Sequence, residues 1–348
     1  MRIVTQLLVI LVLASCASSP KQEFNFEYTK PDVVNSKGKI TGVNLEMPSE
    51  VIDQAKLDSI GSINAEWVAL IPYGFTEKGD SKVQYGYNYQ WWGETEEGSI
   101  AIANYAKAAH QKVMIKPHVW VVGDGWPGEF DLATEEEWLE WESTYRTYIL
   151  KFAKISDSVN ADLFCIGTEY RNAAVKREKF WRKLIEEVRE IYSGDVTYAA
   201  NWDNYEKVQF WDALDYIGID GYFPVSKKQT PTYEEWEAGW REVSDKLRLF
   251  SEKHDRQIIF TEYGFKSADY ATAGYEPNGA TIEVNLQNQF NGYKAFFETV
   301  WKEDFIAGGF LWKWLFFPND QNSGENNKRY TPQGKPAFEI IKEVYGDK

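Results

Sequence analysis

The sequence predicts a single (β/α)8 TIM barrel, and three observations carry that expectation. From residue 39 onward, short apolar runs alternate with helical segments eight times, the pattern of a parallel sheet wrapped by helices, and eight strands close such a sheet on itself. The 348 residues accommodate one barrel of about 250 residues together with a leader. No repeat, low-complexity tract or linker marks a second domain. The long connections follow the second, third, sixth, seventh and eighth strands, so elaboration gathers at the C-terminal end of the barrel, where sites are built on this fold.

The strands are expected at 39–46 (KITGVNLE), 65–73, 112–121 (KVMIKPHVWV), 161–168, 195–202 (DVTYAANW), 214–222 (LDYIGIDGY), 257–262 and 307–315 (AGGFLWKWL). Each is an apolar run with the length of a buried parallel strand. Helices are expected at 48–61, 97–111, 135–158, 177–192, near 205–213, 232–254, 283–302 and 335–345. In 177–192 the residues Trp181, Leu184, Ile185, Val188 and Tyr192 recur at intervals of three and four, which turns one apolar face to the sheet and leaves Arg, Lys and Glu outside.

Before the first strand comes "MRIVTQLLVILVLASCASSPKQ". Arg2, an apolar stretch from Ile3 to Leu13 and the tetrapeptide Leu13-Ala14-Ser15-Cys16 look like a secretion signal, because the apolar stretch is too short to span a bilayer permanently. The tetrapeptide resembles a bacterial lipobox, which implies cleavage before Cys16, a diacylglyceryl anchor on its thiol and a place in the cell envelope. Ala17 in second position leans towards the outer membrane. The organisation expected is therefore a signal peptide at 1–15, a polar tether at 16–38 and one barrel domain at 39–348. The only other cysteine, Cys165, shares strand parity with Glu169 and is read as a small interior hydrophobe.

The formal charge is 38 − 53 = −15, a field that repels nucleic acid and anionic lipid and points to a neutral partner. Aromatic residues reach 16%, and flat ring faces stack on the apolar faces of sugars as well as on one another. Two acidic residues stand out. Glu169 ends the fourth strand in "FCIGTEY" and Glu262 ends the seventh in "FTEYGF". On a closed barrel these strands lie nearly opposite, so the two carboxyls converge across the mouth. Two convergent carboxyls suffice to cleave a glycosidic bond, one as proton donor and one at the anomeric carbon.

With "DYIGIDGYFPV" and "GGFLWKW", these segments make the chain resemble glycoside hydrolase family 113, in the clan of retaining (β/α)8 glycoside hydrolases, over residues 40–345. The resemblance implies hydrolysis of β-1,4-mannan by double displacement, with Glu169 as acid/base, Glu262 as nucleophile and Tyr222 orienting it. Where many clan members have Asn before the acid/base, this chain has Thr168; Asn201 or His118 could replace that contact.

His118 is placed at the mouth as a hydrogen-bonding residue, and Asn201 and Trp202 end the fifth strand. Asp220 would bond sugar hydroxyls or fix a loop, Tyr263 neighbours the nucleophile, and Trp312 is the stacking platform on the eighth strand. Trp91 and Trp92 would form an outer subsite. For each tryptophan the alternative is core packing. "GDGWPG" at 123–128 matches a phosphate-loop spacing, but Pro127, Glu129 and Asp131 make a poor cradle and leave a loop presenting Trp126. The oxygen-rich 319–327 lacks a calcium-loop spacing. No metal or other cofactor is demanded, and the expected partners are a β-linked oligo- or polysaccharide and, through Cys16, a membrane. Alternative readings are a hydrolase of glucan or xylan, an exo-β-mannosidase, and a surface lipoprotein that binds glycans without cleaving them.

Overall fold

The computed structural model describes residues 26–31, 36–87, 90–123, 125–272 and 281–347. Cys16 and its leader lie outside them. Among the described residues, eight parallel strands close into a barrel: β1 (Ile40–Leu45), β2 (Trp67–Leu70), β4 (Lys112–Ile115), β6 (Leu163–Thr168), β7 (Asp195–Asn201), β8 (Ile217–Asp220), β9 (Ile258–Tyr263) and β10 (Ile306–Trp314). Around the ring the order is β1-β10-β9-β8-β7-β6-β4-β2, and β2 pairs back onto β1. Outside them lie α1 (Gln54–Asp58), α2 (Glu96–Ala108), α3 (Glu135–Ser158), α4 (Arg171–Lys176), α5 (Glu178–Arg189), α6 (Tyr233–His254), α7 (Leu286–Phe296) and α8 (Ala337–Gly346). Thr134 and Thr232 start α3 and α6 with capping boxes, each satisfying otherwise orphaned N–H groups.

Two expected strands are shorter than anticipated, for one reason. The runs at 65–73 and 112–121 leave the barrel at Pro72 and Pro117 and resume as β3 (Tyr73–Glu77) and β5 (His118–Val122), which pair in parallel as a separate ribbon. Proline has no N–H for the ladder. The junction is tied by Tyr148, whose hydroxyl donates to the carbonyls of Pro72 and His118 at 2.9 Å each. The expected helices at 177–192 and 283–302 begin later or end sooner than the apolar pattern suggests: Arg177 separates α4 from α5, and α7 runs into a π-turn over Phe297–Trp301.

Two cores follow from strand alternation. Inside the barrel, Ile40, Ala69, Met114, Leu163, Cys165, Ala199, Ile259 and Phe310 pack together; burial pushes the Cys165 thiol up to about 11. The larger core lies between sheet and helices and includes Trp181, Leu184, Ile185, Val188 and Tyr192. Tyr263 belongs to this second core and is not a substrate contact. It follows inward-facing Glu262 by one residue, so it points outward, stacks on Phe296 at 4.7 Å and shares a hydroxyl hydrogen bond with Tyr345, which donates to Gly42 O at 2.8 Å.

Replacing Tyr263 with Phe should lower the unfolding free energy by about 1 kcal/mol in urea titration and leave turnover intact. Loss of turnover with unchanged stability would put Tyr263 back in the site.

Candidate active site

The floor of the barrel mouth is built around a buried ammonium. Lys116 follows β4 immediately before Pro117, is fully buried, and places Nζ 2.6 Å from Glu262 Oε1, 3.3 Å from Asp220 Oδ1 and 3.3 Å from Thr261 O. Burial favours the neutral amine, but the charges of Asp220 and Glu262 outweigh it and raise the Lys116 pKa. Thr261 donates to Asp220 Oδ1 at 2.7 Å. Burial, then the neighbouring charge of Glu262, push the Asp220 carboxyl up to about 7 against the pull of Lys116.

Glu262 sits above this floor with 5% of its surface exposed. Tyr222 donates to its Oε2 at 2.7 Å while Lys116 holds Oε1, so both oxygens act as acceptors, the role of a carboxylate. His118 Nε2 lies 3.7 Å from Oε1. The His118 ring stacks near Trp312 at 6.2 Å and 6°, and burial together with the Lys116 charge drives its pKa well below the usual value. It is a neutral imidazole, and its Nε2 has no hydrogen-bond partner among the described residues.

Glu169 faces the same space under opposite conditions. It follows β6 in the left-handed region, φ 53°, which costs a non-glycine residue about 1 kcal/mol. Its N–H donates to Ala199 O at 2.8 Å, and its own carbonyl accepts from Arg171 at 2.8 Å, so one residue turns the chain from strand into α4. The Trp126 indole donates to Glu169 Oε2 at 2.6 Å. Burial, then the charges of Asp220 and Glu262, raise the Glu169 pKa well above the carboxylate range, against Lys116 and Trp126. One carboxyl that keeps its proton and one that accepts only can deliver acid and negative charge to opposite ends of a single bond.

A match to the model of glycoside hydrolase family 113 spans residues 49–335. The chain belongs to that family. Among solved structures it is similar to the GH113 β-mannanase of Alicyclobacillus acidocaldarius, with 26% identity and a TM-score of 0.77 over 88% of this chain and 97% of that one. It is equally similar to another GH113 β-1,4-mannanase, with 27% identity and a TM-score of 0.77 over 89% and 99%. A β-glucuronidase of Faecalibacterium prausnitzii, 15% identical with a TM-score of 0.58 over 89% of this chain and 49% of that one, shares the fold. No curated protein matches the chain.

In this family 113 glycoside hydrolase the expected site residues divide. Glu169, Glu262, Tyr222, His118 and Trp312 come together as described. Trp91 is 46% exposed and lines a cleft of about 390 Å³ with Trp312, Tyr73, Trp120 and Glu94. Trp92 does not join it: its ring packs on the core beneath α2. Asp220 is fully buried and touches Lys116 and Thr261, so it fixes the floor and meets no sugar hydroxyl. Asn201 Oδ1 accepts from the Trp202 N–H at 2.8 Å. Trp202 turns to Phe223 and lines a separate cavity against α6.

Sequence reasoning missed Lys116 and Glu94. Lys116 has inward parity with Met114 inside an apolar run, a position where a charge demands a partner, and that signal was available. Glu94 had none. Its carboxyl lies in the cleft wall and is pushed by burial up to about 7, against hydrogen bonds from Gln90 and Trp91.

Lys116→Met leaves Asp220 and Glu262 as buried carboxylates without a counter-charge, so unfolding in urea should come about 3–5 kcal/mol sooner. Adding Asp220→Asn should recover part of that loss. Additive destabilisation by the two changes would contradict the shared-charge floor.

Proposed function

We propose that the protein is a retaining endo-β-1,4-mannanase. The observation that carries the reading is the unlike treatment of two glutamates at one mouth: Glu169 with its pKa raised by burial and by like charge, Glu262 held by Lys116 and Tyr222. Glu169 protonates the glycosidic oxygen as the bond to the anomeric carbon breaks, and Glu262 Oε attacks that carbon to form a glycosyl ester. Esterification removes the Glu262 charge, one of the two neighbouring negative charges that hold the Glu169 pKa up. Glu169, now a carboxylate, takes a proton from water, the water attacks the anomeric carbon, and Glu262 departs as an anion towards Lys116. Two inversions give retention.

Trp312 provides the ring face beneath the cleaved sugar, and neutral His118, with its Nε2 unpartnered among the described residues, offers a hydrogen bond to the sugar beside the nucleophile. Trp126 stands beside Glu169 with the Arg171 guanidinium 5.5 Å from its ring centroid, while Trp91 and Trp120 line the cleft beside Trp312. Aromatic rings at Glu169 and along the cleft beside Trp312 suit binding within a chain. Family membership and the similarity to two mannanases support mannan as the polymer.

The test resolves by size the products formed from β-1,4-mannan, β-glucan and xylan. Mannan alone should yield a ladder of short oligosaccharides. Glu262→Ala should give no product, and Glu169→Ala should slow mannan cleavage by about 10²–10⁴-fold. Because the raised Glu169 pKa keeps the acid form at low pH and loses it as pH rises through that value, the alkaline fall in kcat/KM should vanish for Glu169→Ala acting on an aryl mannoside that needs no acid. An unchanged alkaline fall, or a ladder from xylan and none from mannan, would refute the reading.

A further inference from the structure

A further cavity of about 540 Å³ shares Glu46, Trp312 and Lys313 with the aromatic cleft and falls within the range of about 300–1,000 Å³ typical of small-molecule sites. Among the described residues its wall carries Lys313, Lys328, Arg329 and one carboxylate, Glu46; Glu46 is paired with Lys313, which leaves the charges of Lys328 and Arg329. The whole chain has a net charge of −15, so a pocket with this balance is a local reversal of sign.

Arg329 makes the reversal informative. Arg171, Arg177 and Arg182 each close on carboxylates, whereas the Arg329 guanidinium has no carboxylate partner among the described residues and stands exposed at the cavity. Lys328 donates to Ile282 O at 2.8 Å, which satisfies a hydrogen bond and leaves its charge uncompensated. The cavity also adjoins the chemistry: Tyr330, next in sequence to Arg329, packs edge-on against Tyr222 at 5.7 Å, and the Tyr222 hydroxyl holds Glu262. A neutral sugar makes no use of the charges on Lys328 and Arg329. An anionic group gains charge-assisted hydrogen bonds there, and the guanidinium fork fits two oxygens at once.

We propose that this cavity receives the anionic group of a charged sugar unit, a uronate carboxylate or a sulfate ester, carried by the glycan next to the unit on Trp312. The enzyme's own substrate is then an acid-bearing β-linked glycan, a refinement that rests on the mannanase reading above.

The experiment compares kcat/KM on three matched β-1,4-manno-oligosaccharides: unsubstituted, uronate-bearing and sulfate-bearing. At least one charged form should exceed the neutral one by about ten-fold, the worth of one charge-assisted hydrogen bond. Whichever form leads identifies the group. The exposed pair Lys328→Ala/Arg329→Ala should erase that advantage while holding the neutral substrate within about two-fold of wild type, and salt should weaken the preference in wild type only. Equal or poorer cleavage of both charged forms, or a variant that slows neutral and charged substrates alike, would overturn the proposal. Cleavage of the neutral form alone would leave the mannanase reading standing, and cleavage of none would sink both.

Discussion

A single buried ammonium sets the terms for the rest of the site. Carboxylates placed over a barrel core lose hydration, and each would take up a proton unless a counter-charge were near. Lys116, fully buried and within 3.3 Å of both Asp220 and Glu262, is that counter-charge. It reaches Glu262 more closely than Asp220, and Tyr222 adds a second donor to Glu262 alone. Among the described residues Glu169 receives only an indole N–H, and it feels the negative charge of the other two. The asymmetry between the two glutamates therefore arises from where one cation sits.

The fold places that cation by simple means. Pro117 ends the β4 ladder one residue after Lys116, and Pro72 does the same for β2, so both chains lift out of the barrel and pair as β3 and β5. His118 opens the second of these and comes to lie beside Glu262 and Trp312. At β6 the turn is made instead by a left-handed Glu169. Irregular backbone thus occurs where functional side chains leave the strands, as expected where local strain is held by surrounding structure.

The barrel was legible because apolar runs and amphipathic helices alternate, and "FCIGTEY" and "FTEYGF" put glutamates at strand ends where nothing apolar would explain them. Tyr222 came from resemblance, and Trp312 from its place on the eighth strand. The signal failed where it depended on orientation. Tyr263 and Trp92 sit one residue from members of the site, and strand parity or a local turn sends each into the core. Asp220 reads in sequence as a sugar ligand or as a residue that fixes a loop, and the position of Lys116 decides for a buried structural partner. Glu94 and the Arg329 cavity depend on distant loops meeting, which no local pattern encodes.

The central claim is that Glu262 attacks as a carboxylate and carries the sugar. The most direct measurement is mass spectrometry of peptides after reaction with a 2-deoxy-2-fluoro-β-mannosyl fluoride, whose fluorine slows hydrolysis of the ester. The account predicts one added fluoromannosyl group, located on the peptide containing Glu262. A label on Glu169, or turnover with inverted configuration and no covalent adduct, would contradict it.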